Sequence, residues 1–223
     1  MTIEETIQHL AIGSIEQKLA VLRGFTQEMA VPELYPLLLN NLTHSDDRVV
    51  FLSMDALVKK YPDRIRQDAA LLTPQLLAFL TSGDGPITDR AMWALSLTGP
   101  DSVYTLLDFI TQSLDDYQLE MGIWALGRNG HIRRASALVV NTLRKHLQHS
   151  NPRVNYAALC SLMDMSPLRP FGHLQGVEQE FELLYPELQA TAQFLLDTAP
   201  ELSGMPEQYL ELLRNRPESG ASF

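Results

Sequence analysis

The sequence predicts an all-α fold, an α-α superhelix of about five helix pairs. Two observations support this fold class. One segment occurs twice, because residues 41–58 (NLTHSDDRVVFLSMDALV) and 146–163 (HLQHSNPRVNYAALCSLM) align without gaps and share six of eighteen residues. No sustained alternation of apolar and polar residues indicates a strand, whereas apolar residues recur at helical spacing. We therefore expect one helical unit that is repeated along the chain.

The repeat has a period of about 35 residues, with two helices in each unit. The two copies are 105 residues apart, which corresponds to three such units. From the first copy to the second, a dipeptide of a small residue followed by leucine recurs at intervals of 38, 31 and 36 residues. Each of these dipeptides closes the first helix of a unit. These pairs are Ala56-Leu57, Ala94-Leu95, Ala125-Leu126 and Ser161-Leu162.

Turn residues predict where the helices begin. Near the N-terminus, Ser14 and Gln17 have the spacing of a capping box and open a helix that extends through Phe25. Residues 32–43 form the next helix. Asp, Asn and Ser then precede each repeated first helix, where their side chains accept hydrogen bonds from unpaired amides. These turns are Ser45-Asp46-Asp47, Gly83-Asp84-Gly85-Pro86, Asp115-Asp116 and Ser150-Asn151-Pro152, and the second helices that follow are 64–81, 101–112, 132–148 and 182–198.

The composition is that of a folded chain without membrane segments. Of 223 residues, 45% are hydrophobic and 20% charged, which is ordinary for a globular protein. No apolar run approaches the ~20 residues that cross a bilayer. The N-terminus lacks the basic and apolar regions of a secretory signal. We expect a single repeat domain over residues 1–216, a disordered tail over 217–223 and a cytoplasmic location.

Charge is segregated along the chain. The 17 Lys and Arg against 27 Asp and Glu give a net charge of −10, which disfavours nucleic acid as a partner. Residues 128–153 nevertheless hold six cations and no acid, whereas residues 170–213 hold eight acids and no Lys or Arg. The basic segment either docks an acidic partner protein or complements the acidic C-terminal repeat.

On a continuous helix over 132–148, residues eleven apart lie about three turns on. The sequence therefore predicts a basic ridge in two rows, Arg133 with Arg144 and Arg134 with Lys145. We expect Arg134 and Lys145 to face a binding groove and the other row to lie nearer the acidic C-terminal repeat. The predicted apolar face of this helix is Ala135, Leu138, Val139, Leu143 and Leu147.

A known family resembles this repeat. The stretch Trp124-Ala125-Leu126-Gly127-Arg128-Asn129-Gly130, after an Asp-rich turn, resembles the end of HEAT repeats of the phycobilisome-lyase type. Arg48-Val49 and Arg153-Val154 resemble the start of the same repeat. The resemblance covers roughly residues 32–165, although Asn129 replaces the usual apolar residue and the unit at 83–112 keeps little beyond Ala94-Leu95. It implies a HEAT/ARM-like solenoid, a fold found in scaffolds, adaptors, chaperones and lyases.

No catalytic, metal or cofactor site is predicted, so we expect a protein that is not an enzyme. His146 and His149 lie one turn apart, but no Asp, Glu or Cys between residues 128 and 153 completes a metal shell. We interpret them as surface or loop histidines. The His-Glu dipeptides of iron-binding HEAT-repeat hydroxylases do not occur in the sequence. Cys160 lies among apolar residues, which favours a small buried filler over a nucleophile.

The predicted function is that of a protein-binding adaptor or regulatory scaffold. Trp93 and Trp124 occupy the same repeat position and have polar or charged helical neighbours, among them Arg128. Large aromatic rings on a polar face are candidate anchors for a partner. The alternative is that each ring packs sideways against the helix of the neighbouring repeat. Second helices usually line the groove of such repeats, and their predicted exposed positions are Tyr104, Asp108, Arg134, Asn141 and Lys145.

Two other functions remain open. The resemblance allows a chromophore lyase-like or chaperone-like protein that handles a tetrapyrrole or a phycobiliprotein. Such a protein needs a deep cleft, with Cys160 or a histidine exposed within it. HEAT-like DNA-repair binding is disfavoured by the net charge of −10, although the basic segment keeps it from being excluded.

Overall fold

The computed structural model of the protein describes residues 2–169, 174 and 176–216, and every regular element among them is helical. This confirms the predicted all-α repeat fold. The chain divides into two compact units, Met1–Ser102 and Val103–Phe223. The single domain over 1–216 stays a prediction, and the predicted tail at 217–223 lies outside the described residues. In the part of the chain that is described, no helix is both long and apolar enough to cross a bilayer.

The first unit is organised around its fourth helix. Helix α4 packs on α2, α3 and α7, and α6 packs on α7. A 3₁₀ turn at Pro32–Leu34 leads into α3. The helices of this unit are α1 (Ile3–Ile12), α2 (Ile15–Arg23), α3 (Tyr35–Asn41), α4 (Asp47–Lys60), α5 (Pro62–Gln67), α6 (Ala69–Leu80) and α7 (Gly85–Leu97).

The second unit is organised around a long buried helix, α11. The neighbours of α11 are α9, α10, α12 and α13, and ten of its fourteen residues are buried. A 3₁₀ turn at Ile132–Ala135 leads into α10. The helices are α8 (Ser102–Gln112), which begins at the boundary, α9 (Asp116–Gly127), α10 (Ser136–Arg144), α11 (Pro152–Met165), α12 (Glu178–Thr198) and α13 (Gly204–Arg214).

The helix starts predicted from turn residues are confirmed. The side chains of Asp46, Asp84, Asp115 and Asn151 each accept a hydrogen bond from a backbone N–H two or three residues later, at 3.0, 2.9, 2.8 and 2.9 Å. The capping box at Ser14 is also present. The helix that it opens ends at Arg23, so the predicted end at Phe25 was two residues too late.

The histidines shared by the two repeated segments organise the loop before the first helix. Nδ1 of His44 accepts the N–H of Asp46 at 3.0 Å, and Nδ1 of His149 accepts the N–H of Asn151 at 3.1 Å. Each histidine therefore positions the residue that caps the following helix. This confirms the interpretation of His149 as a loop histidine and explains its recurrence.

Two predicted second helices are interrupted. Residues 64–81 contain α5 and α6, which meet at Asp68. Residues 132–148 begin as a 3₁₀ turn and become α-helical only at Ser136, since the backbone of Ala135 (φ −137°, ψ 33°) leaves the helical region. A 3₁₀ turn has three residues instead of 3.6. The predicted stacking of residues eleven apart across this junction is therefore wrong.

Helices α9 and α11 meet at a glycine. A Cβ atom built on Gly127 would lie 2.6 Å from Cβ of Ser161 and 3.3 Å from its Cα. Ser161 is buried, and its hydroxyl donates to the carbonyl of Ile123 at 3.5 Å. Both positions must hold a small residue, since the two helices otherwise move apart.

Gly127→Ala is expected to destabilise the protein, because the added methyl group overlaps the side chain of Ser161 close to the backbone of α11. Inserting a methyl group into a packed site costs typically about 1–3 kcal/mol. The midpoint of urea denaturation, followed by circular dichroism, measures the loss.

Gly204→Ala is the matched control for this prediction. Gly204 opens α13 in the same unit, and a Cβ there would meet no atom within 4 Å. Alanine is the better helix former by roughly 1 kcal/mol or less, so this variant is expected to be neutral or slightly more stable. Equal behaviour of the two variants would show that the contact between Gly127 and Ser161 does not limit packing.

Candidate protein-binding surface of the second unit

A stripe of exposed side chains runs along α10. Leu138, Asn141 and Lys145 are spaced by three and four residues, so they share one side of the helix, and Arg134 precedes them in the 3₁₀ turn. We call these four residues the α10 stripe. Leu138 was predicted in the apolar face but is 50% exposed, so that prediction is wrong.

Helical spacing within α10 accounts for the position of Leu138. Val139, Val140, Leu143 and Leu147 are buried on one side of the helix, and at 3.6 residues per turn Leu138 lies on the other side. The rest of the predicted apolar face agrees with the structure, since Leu147 is also buried and Ala135 is half-buried. The exposed Leu138 therefore lies among the residues that the sequence proposed for binding.

The fold divides five of the six cations of segment 128–153 into two groups, and the sixth, Arg128, lies beside Trp124. Arg144 forms a two-pronged ion pair with Glu187 of α12, with Nε 2.9 Å from Oε2. Arg153 pairs with Glu120 of α9 at 3.1 Å. The expected proximity of Arg144 to the acidic C-terminal repeat is confirmed. Of the basic segment, Arg144 therefore complements the acidic C-terminal repeat, whereas Arg153 complements an acid of α9.

The remaining part of the segment is not neutralised in this way. Arg133, Arg134 and Lys145 are exposed, and none of them pairs with an acid among residues 2–169, 174 and 176–216. His146, beside Lys145, is half-buried, and burial together with repulsion from His149 and Lys145 lowers its pKa. It is therefore predominantly neutral at pH 7 and adds little charge to the surface.

Helix α8 exposes the two residues that were predicted on it. Tyr104 is 48% exposed, and Asp108 follows one turn later on the same side. The opposite side of α8 is buried through Val103, Leu106 and Ile110. Tyr104 and Asp108 form an exposed face on their own helix, and their part in binding stays a prediction.

Trp124 packs against the neighbouring first helix. Its ring meets Tyr156 of α11 edge to face, with centroids 5.9 Å apart, and the Arg128 guanidinium lies 5.2 Å from the Trp124 centroid. Trp124 is half-buried as a result. This is the sideways packing that the sequence left open, and it holds Arg128 beside the end of α9.

Trp93 is the more exposed of the two tryptophans. It lies in the first unit, is 41% exposed and has the Arg90 guanidinium 5.6 Å from its centroid. Arg90 also lies 5.4 Å from the ring of Phe51 and pairs with Asp55 at 2.7 Å. The cation therefore links two aromatic rings on α4 and α7, and an exposed tryptophan edge remains.

Cys160 is the buried filler that the sequence favoured. It is 3% exposed, and burial raises the pKa of its thiol to about 11. Cys160 therefore does not provide the exposed thiol that the lyase-like alternative called for. Among the described residues, no group of three or more His, Cys, Asp and Glu side chains is suited to hold a metal ion.

The structure also assembles a basic pocket that the sequence did not reveal. Arg128, Arg133 and Arg169 line a space of about 590 Å³ together with Asp164, which pairs with Arg169 at 3.3 Å. We call it the arginine pocket. Arg169 was missed because it lies outside the basic segment. It joins the pocket only because the chain after α11 returns to the turn after α9.

No protein-family model matches the chain, and a comparison with curated proteins gives no match. Among solved structures, it is similar to a designed armadillo repeat protein (14% identity, TM-score 0.46, 95% of this chain and 100% of that one). A second designed armadillo repeat protein, solved in complex with the peptide (KR)4, has 15% identity and a TM-score of 0.49 over 96% and 100%. An archaeal HEAT-like repeats protein from Thermococcus onnurineus NA1 has 13% identity and a TM-score of 0.42 over 96% and 97%. Similarities of this size carry no inference about partners.

Replacing Trp124 is expected to cost more stability than replacing Trp93. Trp124→Ser removes the edge contact with Tyr156 and leaves a gap, whereas Trp93→Ser removes a largely solvated ring. Because truncating a fully buried Trp costs about 3–5 kcal/mol, we expect about 1–3 kcal/mol for half-buried Trp124 and less than about 1 kcal/mol for Trp93. Thermal unfolding of both variants tests this, and a larger loss from Trp93→Ser would contradict it.

The thiol of Cys160 is expected to be unreactive in the folded protein. A raised pKa leaves little thiolate at neutral pH, and burial blocks access of the reagent. Ellman's reagent should therefore release colour only when a denaturant unfolds the second unit. Rapid stoichiometric reaction in native buffer would show that the helix around Cys160 opens readily.

Proposed function

We propose that this chain is a protein-binding helical-repeat adaptor whose α10 stripe takes an acidic segment of a partner protein with one apolar side chain. The observation that carries the proposal is the exposed Leu138 beside Asn141, between Arg134 and Lys145. These two cations have no acidic partner in the part of the chain that the structure describes.

Charge supports an acidic partner. The chain as a whole carries −10, so a local excess of cations does not arise from a generally basic composition. Complementary charge raises association rates and disfavours wrong partners. An acidic segment would meet Arg134 in the 3₁₀ turn before α10 and Lys145 at the end of α10.

Leu138 supports an apolar contact at the middle of the same stripe. A single exposed leucine is common on protein surfaces and is not evidence of binding by itself. Here it is flanked by cations that no acid of the described chain neutralises. Electrostatic attraction to the cations and burial of an apolar side chain against Leu138 would therefore act on the same segment of the partner. Tyr104 and Asp108 of α8 supply a second exposed face for an extended partner in this unit.

The test is the binding of a fluorescent peptide rich in glutamate with one central leucine. We expect the wild-type chain to bind it and the affinity to fall with added salt. Arg134→Glu with Lys145→Glu should weaken binding by about tenfold or more, mainly through slower association, since reversing two exposed charges amounts to roughly 1.4 kcal/mol. Leu138→Ser should weaken it severalfold without changing the melting temperature. Fluorescence anisotropy and stopped-flow mixing measure these quantities.

Arg66→Glu with Arg214→Glu is the matched control, because it changes the net charge equally at two exposed sites elsewhere. Binding should survive in this control. If both double variants weaken binding alike, the peptide responds to overall charge and not to the α10 stripe. Equal binding of a lysine-rich peptide would also contradict the proposal.

A further inference from the structure

The geometry points to the arginine pocket as a binding site for a phosphate monoester, carried as a phosphorylated side chain of a partner protein. The pocket lies between the turn after α9 and the end of α11 and is lined by Arg128, Arg133, Arg169 and Asp164. It is distinct from the α10 stripe, since neither Leu138 nor Lys145 lines it. The inference therefore does not depend on the proposed function.

The lining residues suit the oxygens of a phosphate group. Three arginines line the pocket, and one of them, Arg169, pairs with Asp164. A phosphate monoester carries about −1.5 to −2 at pH 7 and presents three strong acceptor oxygens. Guanidinium groups bind such oxygens in pairs with planar geometry. A carboxylate presents two oxygens and one negative charge, so a pocket with several guanidinium groups favours phosphate over Glu or Asp.

Two of the three arginines of the pocket are already held in position. Asn129 is 2% exposed, and its side-chain oxygen accepts the N–H of His131 at 2.9 Å, which holds the turn after α9. Arg128 is held over the ring of Trp124, and Arg169 is held by Asp164. A site whose cations are already placed loses less conformational entropy on binding.

A phosphorylated protein is favoured over nucleic acid as the source of the phosphate. A nucleic-acid backbone presents many phosphates and binds most tightly to an extended basic surface. This chain carries −10, and the pocket is a single site of about 590 Å³, within the range of about 300–1,000 Å³ typical of small-ligand pockets. One phosphate group on a polypeptide fits these dimensions. Unlike a nucleic acid, it brings no further phosphates close to the acidic remainder of the protein surface.

The test uses the full chain and a fluorescent neutral peptide with one phosphoserine, together with twins that carry serine or glutamate at that position. The phosphoserine peptide should bind, with inorganic phosphate as a competitor, and the glutamate twin should bind at least about tenfold more weakly. Arg133→Ala should weaken phosphopeptide binding by at least about tenfold, the effect typical of a lost charge-assisted hydrogen bond. Arg133 is exposed, so this variant is expected to fold normally.

Asp164→Asn is expected to raise the affinity for the phosphopeptide, whereas Arg133→Ala lowers it. Removing the carboxylate of Asp164, which lies among the arginines of the described lining, should tighten phosphopeptide binding severalfold, a gain that a merely structural role would not produce. Arg134→Ala, next to Arg133 but outside the pocket, should leave it unchanged. The proposal is overturned if the serine or glutamate twin binds equally, if Arg133→Ala has no effect, or if a single-stranded oligonucleotide competes better than the phosphopeptide. Loss of binding only in Arg134→Glu with Lys145→Glu would assign the phosphopeptide to the α10 stripe instead.

Discussion

The close approach of α9 and α11 at Gly127 and Ser161 is the constraint on which the surface of the second unit depends. Because no side chain fits between these residues, the C-terminal end of α9 lies directly against the middle of α11. That placement brings Trp124 to Tyr156 and Glu120 to Arg153. It also puts the turn after α9 beside the end of α11, where the arginine pocket forms.

The charges of this unit follow from the same packing. Within the basic segment, Arg144 and Arg153 turn toward carboxylates of neighbouring helices, while Arg134 and Lys145 remain in solvent. A helix presents its sides to different surroundings, so one run of cations in sequence divides between residues that pair within the protein and residues that stay in solvent. The interpretation that the basic segment complements the acidic C-terminal repeat applies to Arg144, and the docking of an acidic partner by Arg134 and Lys145 stays a proposal.

The aromatic residues show how the repeat varies while keeping its geometry. Phe51 and Tyr156 hold equivalent positions in the two repeated segments, and each lies near a tryptophan-bearing helix within its own unit. In the first unit Arg90 lies close to both rings, whereas in the second the rings touch directly and Arg128 covers the tryptophan. A cation–aromatic contact of about 0.5–2 kcal/mol thus links neighbouring first helices in the first unit, and an edge-to-face ring contact links α9 and α11 in the second.

The sequence by itself determined the helical repeat, the capped helix starts and the burial of Cys160, because these depend on local spacing and on side chains that bond to their own turns. Leu138 shows where such reasoning failed. The run Leu138, Val139 and Val140 places apolar side chains on more than one side of α10, and packing against other helices decides which side is buried. Only the tertiary structure decided which cations are neutralised and that Arg169 joins Arg128 and Arg133, since ion pairs and pockets depend on the distance between helices remote in sequence.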